Sequence, residues 1–233
     1  MHLKNSVKEI YLIRHGETDW NKKHVSMGQE ADISLNDNGK EQATKTGLYL
    51  KKYRSSKPFD CIYASPMMRA KETAEIIKNI IELNNDIIYD YRLKEAKLGK
   101  FSGIPKNDQL LKKYNEKLDN ELPRDPIERY LSKDIINEKI SKEFDIGNES
   151  ANDIEMRAFD IITEIVKSEF NKILVVSHGN LLLSMMRKIF KIPMIPQGNL
   201  DNGDNCYITL ITYNDENGFR MITPPNTEHL GDF

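Results

Sequence analysis

The sequence predicts a three-layer α/β/α sandwich: a mostly parallel central sheet with helices on both faces. Two observations carry this. Short apolar runs rich in strand formers alternate with longer segments of helical periodicity, in the order β-α-β-α-β-(insert)-α-β-α-β-β. Three of those strands also end on polar residues: Arg14-His15-Gly16, Ser65-Pro66 and Ser177-His178-Gly179.

The first strand is residues 9–14, apolar at Ile10, Tyr11, Leu12 and Ile13. Residues 36–54 read as a helix capped by Asn36 or Asp37, with Ala43, Leu50 and Tyr53 near helical spacing. The run "FDCIYAS" (59–65) is the second strand. Pro66 then suits the first position of a helix with Ser65 as its cap. That helix carries Ala70, Ala74, Ile77 and Ile81 on one stripe, and residues 86–90 form the third strand.

From Gly103 to Asn148 the text turns polar, with Pro105, Pro123 and Pro126 and short amphipathic pieces. It reads as a helical insert, about 104–146, over the active site of a single domain spanning 1–233. Residues 148–170 form a helix capped by Asn148 or Ser150. Residues 172–178 are a buried strand, and Gly179 opens the next helix. Residues 205–213 and 219–223 are strands joined at Asn217-Gly218.

With 233 residues and 39% hydrophobic content, the chain can bury one ordinary core or two small ones. Its 34 basic and 36 acidic residues leave a net charge of -2, which gives no sign of general nucleic-acid binding. Cys61 and Cys206 have neither metal-ligand spacing nor a secreted framework, which fits a reducing compartment. The first ten residues lack the apolar core of a signal peptide, and no apolar run approaches the roughly 18 residues of a membrane span. The expectation is a soluble cytoplasmic protein without a nucleic-acid or membrane partner. Nothing in the residues bears on oligomeric state.

In open α/β sheets, ligands bind outside the carboxyl ends of the strands. Three segments deliver two histidines, Arg14, Arg69 and two helix N-termini to that edge. Helix N-termini offer free N–H groups and a positive dipole end, both suited to an anion. The chemistry is that of a phosphate pocket holding a nucleophile.

The segments "LIRHGETDWN", "ASPMMRAKETA" and "VVSHGN" resemble the signatures of the histidine phosphatase superfamily, the phosphoglycerate mutase-like proteins. The resemblance continues in "GQEADISLNDNGKEQA", "RLKEAKLGKFSG", "GNESANDIEMRA" and "NTEHL", in family order, over most of the chain outside the insert. It implies that His15 is the nucleophile that becomes phosphohistidine. Arg14, Arg69 and His178 would surround the phosphoryl oxygens. Asn21 and the Gly179 N–H would add hydrogen bonds, Gly28 would lie on the substrate side, and Glu95 would protonate the leaving oxygen. The substrate would be a small phosphorylated molecule, with no metal and no cofactor.

Departures from the family pattern lie at Met27, where glutamine or threonine is usual, and at Ser34, where proline is common. The Gly28–Asp32 spacing is also one residue longer than usual. Family mutases follow the acid with Arg-His-Tyr-Gly, where this chain has Ala96-Lys97-Leu98-Gly99. They also carry an arginine pair in the insert, where Arg124 and Arg129 stand apart. The expectation is therefore a phosphatase, with a phosphoglycerate mutase as the alternative. A zinc hydrolase using His15, His178 and Glu95 ranks lower, because two arginines would repel the cation. A non-catalytic phospho-ligand binder also ranks lower, because every recognised position is filled.

Overall fold

The computed structural model describes residues 7–53, 57–124, 126–191 and 204–231. Six strands form one sheet in the order β3-β2-β4-β1-β5-β6. They are β1 (Lys8–Arg14), β2 (Cys61–Ala64), β3 (Ile88–Tyr89), β4 (Lys172–Ser177), β5 (Ile208–Asn214) and β6 (Gly218–Asn226). Strands β3, β2, β4 and β1 pair in parallel; β5 runs antiparallel to β1, and β6 antiparallel to β5. The helices are α1 (Asp19–Lys22), α2 (Asp37–Tyr53), α3 (Met68–Ile81), α4 (Gln109–Glu121), α5 (Pro126–Glu143), α6 (Ala151–Lys167) and α7 (Gly179–Phe190).

Successive strand residues point to opposite faces, so each strand feeds two cores. Ile10, Leu12, Tyr63, Ile173 and Val175 pack under Ile161 and Ile165 of α6 and Leu182 and Met185 of α7. Tyr11, Ile13, Ile62, Leu174 and Val176 pack under Leu50 of α2 and Ala70, Ala74 and Ile77 of α3. The expected three layers are therefore present. Each fully buried aliphatic side chain contributes roughly 1.5–3 kcal/mol.

The structure amends several elements. Helix α3 begins at Met68, with Met67 at its cap position and no side-chain cap bond. Ser65 does not cap it. Pro66 and Met67 stay outside the helix, and this leaves the Ser65 hydroxyl free for His178. Strand β6 runs on through Pro224 and Pro225, where the sequence suggested a stop at Thr223. It is an edge strand, the position where proline's missing donor is tolerated. Strand β3 shrinks to two residues. Ser150, not Asn148, caps α6, accepting from the Asp153 N–H. Helix α1 is an additional turn, closed by a reciprocal capping box between Thr18 and Asn21. The expected end of α2 at Arg54 and the side chain of Arg129 lie outside the described residues.

The insert comprises α4 and α5, and Tyr114, Ile140 and Ile146 form a small core of their own beneath it. Its base sits beside the loop after α1. The Ser26 N–H donates to the Ile104 carbonyl at 2.9 Å, and the Gly103 N–H to the Ser26 carbonyl at 2.9 Å. No described helix is long and apolar enough to cross a membrane.

Candidate active site

Parallel register builds the site. Arg14 pairs with Ser177 across β1 and β4, and Ala64 with Val176 across β2 and β4. The next residues, His15, Ser65 and His178, therefore leave the sheet side by side. The His15 N–H donates to the Ser177 carbonyl at 2.9 Å, and the Ser65 N–H to the Val176 carbonyl at 3.0 Å.

His15 is buried, and its Nδ1 lies 2.7 Å from the Gly16 carbonyl. A carbonyl only accepts, so Nδ1 carries the proton and Nε2 the lone pair. That lone pair accepts from Arg69 Nε at 3.2 Å. Burial first, then Arg69 and Arg14, hold the His15 pKa well below 6.5. The ring is held neutral near pH 7, so its Nε2 lone pair needs no separate base to free it.

The His178 ring lies 5.2 Å from that of His15, centroid to centroid. It occupies the N-cap position of α7, fully buried, with Nε2 2.8 Å from Ser65 Oγ. Gly179 is the first residue of α7 and is buried at the same helix N-terminus. Burial also lowers the His178 pKa well below 6.5, with Arg69, His15 and Arg14 contributing.

Arg69 is fully buried. Besides His15 it donates through Nη1 to the Ala31 carbonyl at 3.1 Å and through Nη2 to the Gly28 carbonyl at 3.5 Å. Burial pushes its pKa down to about 10, against the opposing pull of Glu95 and Asp32, so it stays cationic near neutrality. Arg14, at the end of β1, is 9% exposed, and burial likewise lowers its pKa.

Glu95 is 6% exposed. One carboxylate oxygen accepts from the Ala96 N–H at 2.7 Å; the other has a longer 3.4 Å contact with the Asn180 N–H of α7. Burial raises its pKa above the ordinary 4.5, although Ala96, Arg69, Arg14 and Asn180 all oppose the shift. Two buried guanidiniums thus face one buried carboxyl that resists ionisation, an arrangement suited to a dianion and a proton donor.

Asn21 and Gly28 take structural places at the rim of this cluster. Asn21 Oδ1 accepts from the Thr18 N–H and from Asn205 Nδ2. A Cβ on Gly28 would lie 2.9 Å from the Ala96 carbonyl oxygen, so the loop 27–32 packs directly on the strand of chain after Glu95. Gly16 is needed for a similar reason. A Cβ there would lie 2.4 Å from the Gly39 carbonyl oxygen, which lets the loop after β1 rest backbone to backbone on α2.

Four supporting residues escaped the sequence reading. Asn205 Nδ2 reaches the His15 and Gly16 carbonyls at 3.0 and 3.2 Å. Thr73 Oγ1 accepts from the Gly16 N–H at 3.0 Å. Arg157 Nη2 holds the Glu95 carbonyl at 2.9 Å while its guanidinium pairs bidentately with Glu149. Ser65, read as a cap, holds His178 instead. Arg157 and Glu149 lie inside the family-like segment 147–158, which was their available signal.

A model of the histidine phosphatase superfamily (branch 1) matches residues 10–223, and the chain belongs to that family. Within it, the chain is 42% identical over 96 residues to an uncharacterized phosphatase, PhoE, of Bacillus subtilis (strain 168). That match covers 41% of this chain and 46% of the relative, so it spans less than half of the relative's length. The chain is 28% identical over 196 residues to a 2,3-bisphosphoglycerate-dependent phosphoglycerate mutase of Borreliella burgdorferi (strain ZS7), covering 77% and 76% of the two chains. The fold matches that of phosphoglycerate mutase from Bacillus anthracis str. Sterne with a TM-score of 0.75 at 22% identity, over 97% and 96% of the two chains.

Proposed function

We propose that this chain is a phosphomonoester hydrolase that works through a phosphohistidine on His15 and takes a small phosphorylated metabolite. The observation that carries the reading is the His15 ring: neutral, with Nδ1–H engaged by Gly16 and the Nε2 lone pair directed at Arg69. Arriving phosphate draws the Arg69 guanidinium onto its oxygens and uncovers that lone pair. His15 Nε2 attacks phosphorus, the ester P–O bond breaks, and Glu95 gives its proton to the leaving oxygen. Water then attacks phosphorus, Glu95 takes its proton, and the N–P bond breaks to release phosphate. Arg14, Arg69 and His178 stabilise the charge on the transferring group. Asn21 and the Gly179 N–H supply further hydrogen bonds, and Gly28 borders the substrate side.

The arginines and helix ends supply the positive charge, so the reaction needs no metal and no cofactor. Among the described residues no group of three His, Cys, Asp or Glu side chains could hold a metal ion. The insert roofs the pocket and selects the substrate, the whole chain acts as one domain, and its setting is the cytoplasm without nucleic-acid or membrane partners. The second reading is a phosphoglycerate mutase, favoured by the match to the Borreliella enzyme over 77% of the chain. Ala96-Lys97-Leu98 after Glu95 weighs against it.

The test is a panel of phosphomonoesters, including p-nitrophenyl phosphate, offered to purified protein with and without EDTA. Phosphate release that is indifferent to EDTA and absent from His15→Ala supports the reading. Full activity in His15→Ala, or activity lost to EDTA and restored by zinc, overturns it.

A further inference from the structure

The two imidazoles spend opposite edges on the protein. His15 uses its Nδ1–H on the Gly16 carbonyl and keeps the Nε2 lone pair. His178 places Nε2 2.8 Å from Ser65 Oγ, while its buried Nδ1 has no hydrogen-bond partner among the described residues.

The direction of the Ser65 bond follows from its other contact. The Met67 N–H donates to Ser65 Oγ at 3.3 Å, so the oxygen already accepts and the hydroxyl proton remains to be placed. Were Ser65 Oγ also to accept from His178, that buried proton would have no described acceptor, and burying an unsatisfied donor is costly. Nδ1 would then also present a bare lone pair inside an anion site. The neutral ring has one proton to place, and nitrogen can donate only where that proton sits.

We infer that Ser65 is a positioning residue: its hydroxyl donates to His178 Nε2, fixes the proton on Nδ1, and so makes His178 a hydrogen-bond donor to a phosphoryl oxygen. This rests on the phosphoryl-transfer reading above. Ser65 fails as the cap of α3 because the helix begins only at Met68, with extended Met67 at the cap position. The pair also explains how a histidine at a helix N-cap can remain neutral yet serve an anion.

The test is long-range 1H–15N correlation of the uniformly 15N-labelled protein, with the His178 signals assigned by their loss in His178→Asn. The expected pattern is a protonated Nδ1 and an unprotonated Nε2. In Ser65→Ala the pattern shifts toward the other tautomer or a mixture. In that variant kcat falls about 10–100-fold and orthovanadate inhibition weakens, with Ser65→Thr recovering part of both. His178→Asn, whose amide nitrogen stands near the Nδ1 position, retains more activity than His178→Gln. A wild-type His178 protonated on Nε2, or a Ser65→Ala protein with unchanged tautomer and kcat, overturns the inference. If Ser65→Ala does not fold, the wild-type spectrum alone decides. The tautomer is read without turnover. An active enzyme with an Nε2–H ring refutes the role of Ser65 alone. A chain inert to every phosphomonoester refutes the proposed function and the donation to a phosphoryl oxygen, while leaving the Ser65–His178 tautomer to be read from the spectrum.

Discussion

Arg69 Nε donates to His15 Nε2 at 3.2 Å, so a guanidinium rests on the lone pair that the proposed chemistry uses. The same side chain ties down the Ala31 and Gly28 carbonyls, and a lysine cannot reproduce that planar fork. Arg69→Lys is expected to lower kcat/KM by about 10²–10³-fold and to reduce thermal stability as well. Steady-state kinetics on p-nitrophenyl phosphate with a parallel melt measure both; a variant within a few-fold of wild type would make the guanidinium dispensable.

Rapid quenching with a 32P-labelled substrate should trap a phosphoprotein that is labile in acid and stable in alkali, with the label on His15. His15→Ala should carry no label and lose at least about 10³-fold in rate, since the lone pair that attacks phosphorus in the proposed reaction goes with the ring. Label recovered on another residue would move the nucleophile.

Glu95 is held above the ordinary carboxyl pKa of 4.5 chiefly by burial, and in the proposed reaction it is the acid whose proton is lost as pH rises. The rate should fall on the alkaline side as pH passes through that raised value, while His15, depressed well below 6.5, stays competent far into acid. Glu95→Gln should abolish the alkaline limb. It should also cost an alkyl phosphate more, about 10²–10⁴-fold, than p-nitrophenyl phosphate, whose leaving group needs no proton. Equal losses on the two substrates would remove Glu95 from the role of acid.

His229, in the turn after β6, bonds to Thr46 Oγ1 at 3.0 Å and stacks near Tyr49. Burial lowers its pKa from 6.5 to about 4. Between those values the unfolded chain binds a proton that the folded chain refuses, so stability is full above pH 6.5 and declines as pH falls toward 4. His15 and His178, also depressed, push in the same direction. His229→Gln should flatten the slope of Tm against pH in that window; parallel slopes would show that His229 does not titrate there.

Phosphatase and mutase part at the second step. The segment after Glu95 lacks the Arg-His-Tyr run and the insert lacks a paired-arginine clamp; without that clamp a phosphoglycerate would lose bidentate carboxylate recognition and leave the phosphoenzyme open to water. Incubation with 3-phosphoglycerate and a trace of 2,3-bisphosphoglycerate should release phosphate faster than it forms 2-phosphoglycerate. Rapid isomer formation with negligible free phosphate would make the chain a mutase.

What the sequence made legible was set by local chemistry. The runs before Arg14 and His178 are apolar over four or more residues, and a buried parallel strand has that appearance. The resemblance carried the candidate cluster residue by residue, and the structure brings His15, Arg69, His178 and Glu95 into one buried group. Asn205 stayed hidden because its bonds to His15 and Gly16 span about 190 residues of chain, beyond any periodicity. Ser65 was misread because a serine before proline suits a cap, and only the tertiary position of His178 offered it a better partner. The two prolines concealed the end of β6 because nothing local marks a strand as an edge.

Strand β1 lies between β4 and β5, although both are made long after it. During synthesis the segment bearing His15 leaves the ribosome with its apolar face and its backbone groups unpartnered. Its backbone groups stay so until Lys172–Ser177 and Ile208–Asn214 have also emerged. Such late, distant pairing is slow and leaves an aggregation-prone strand waiting in the nascent chain. The first piece of the pocket to be translated is thus among the last to be seated in the sheet.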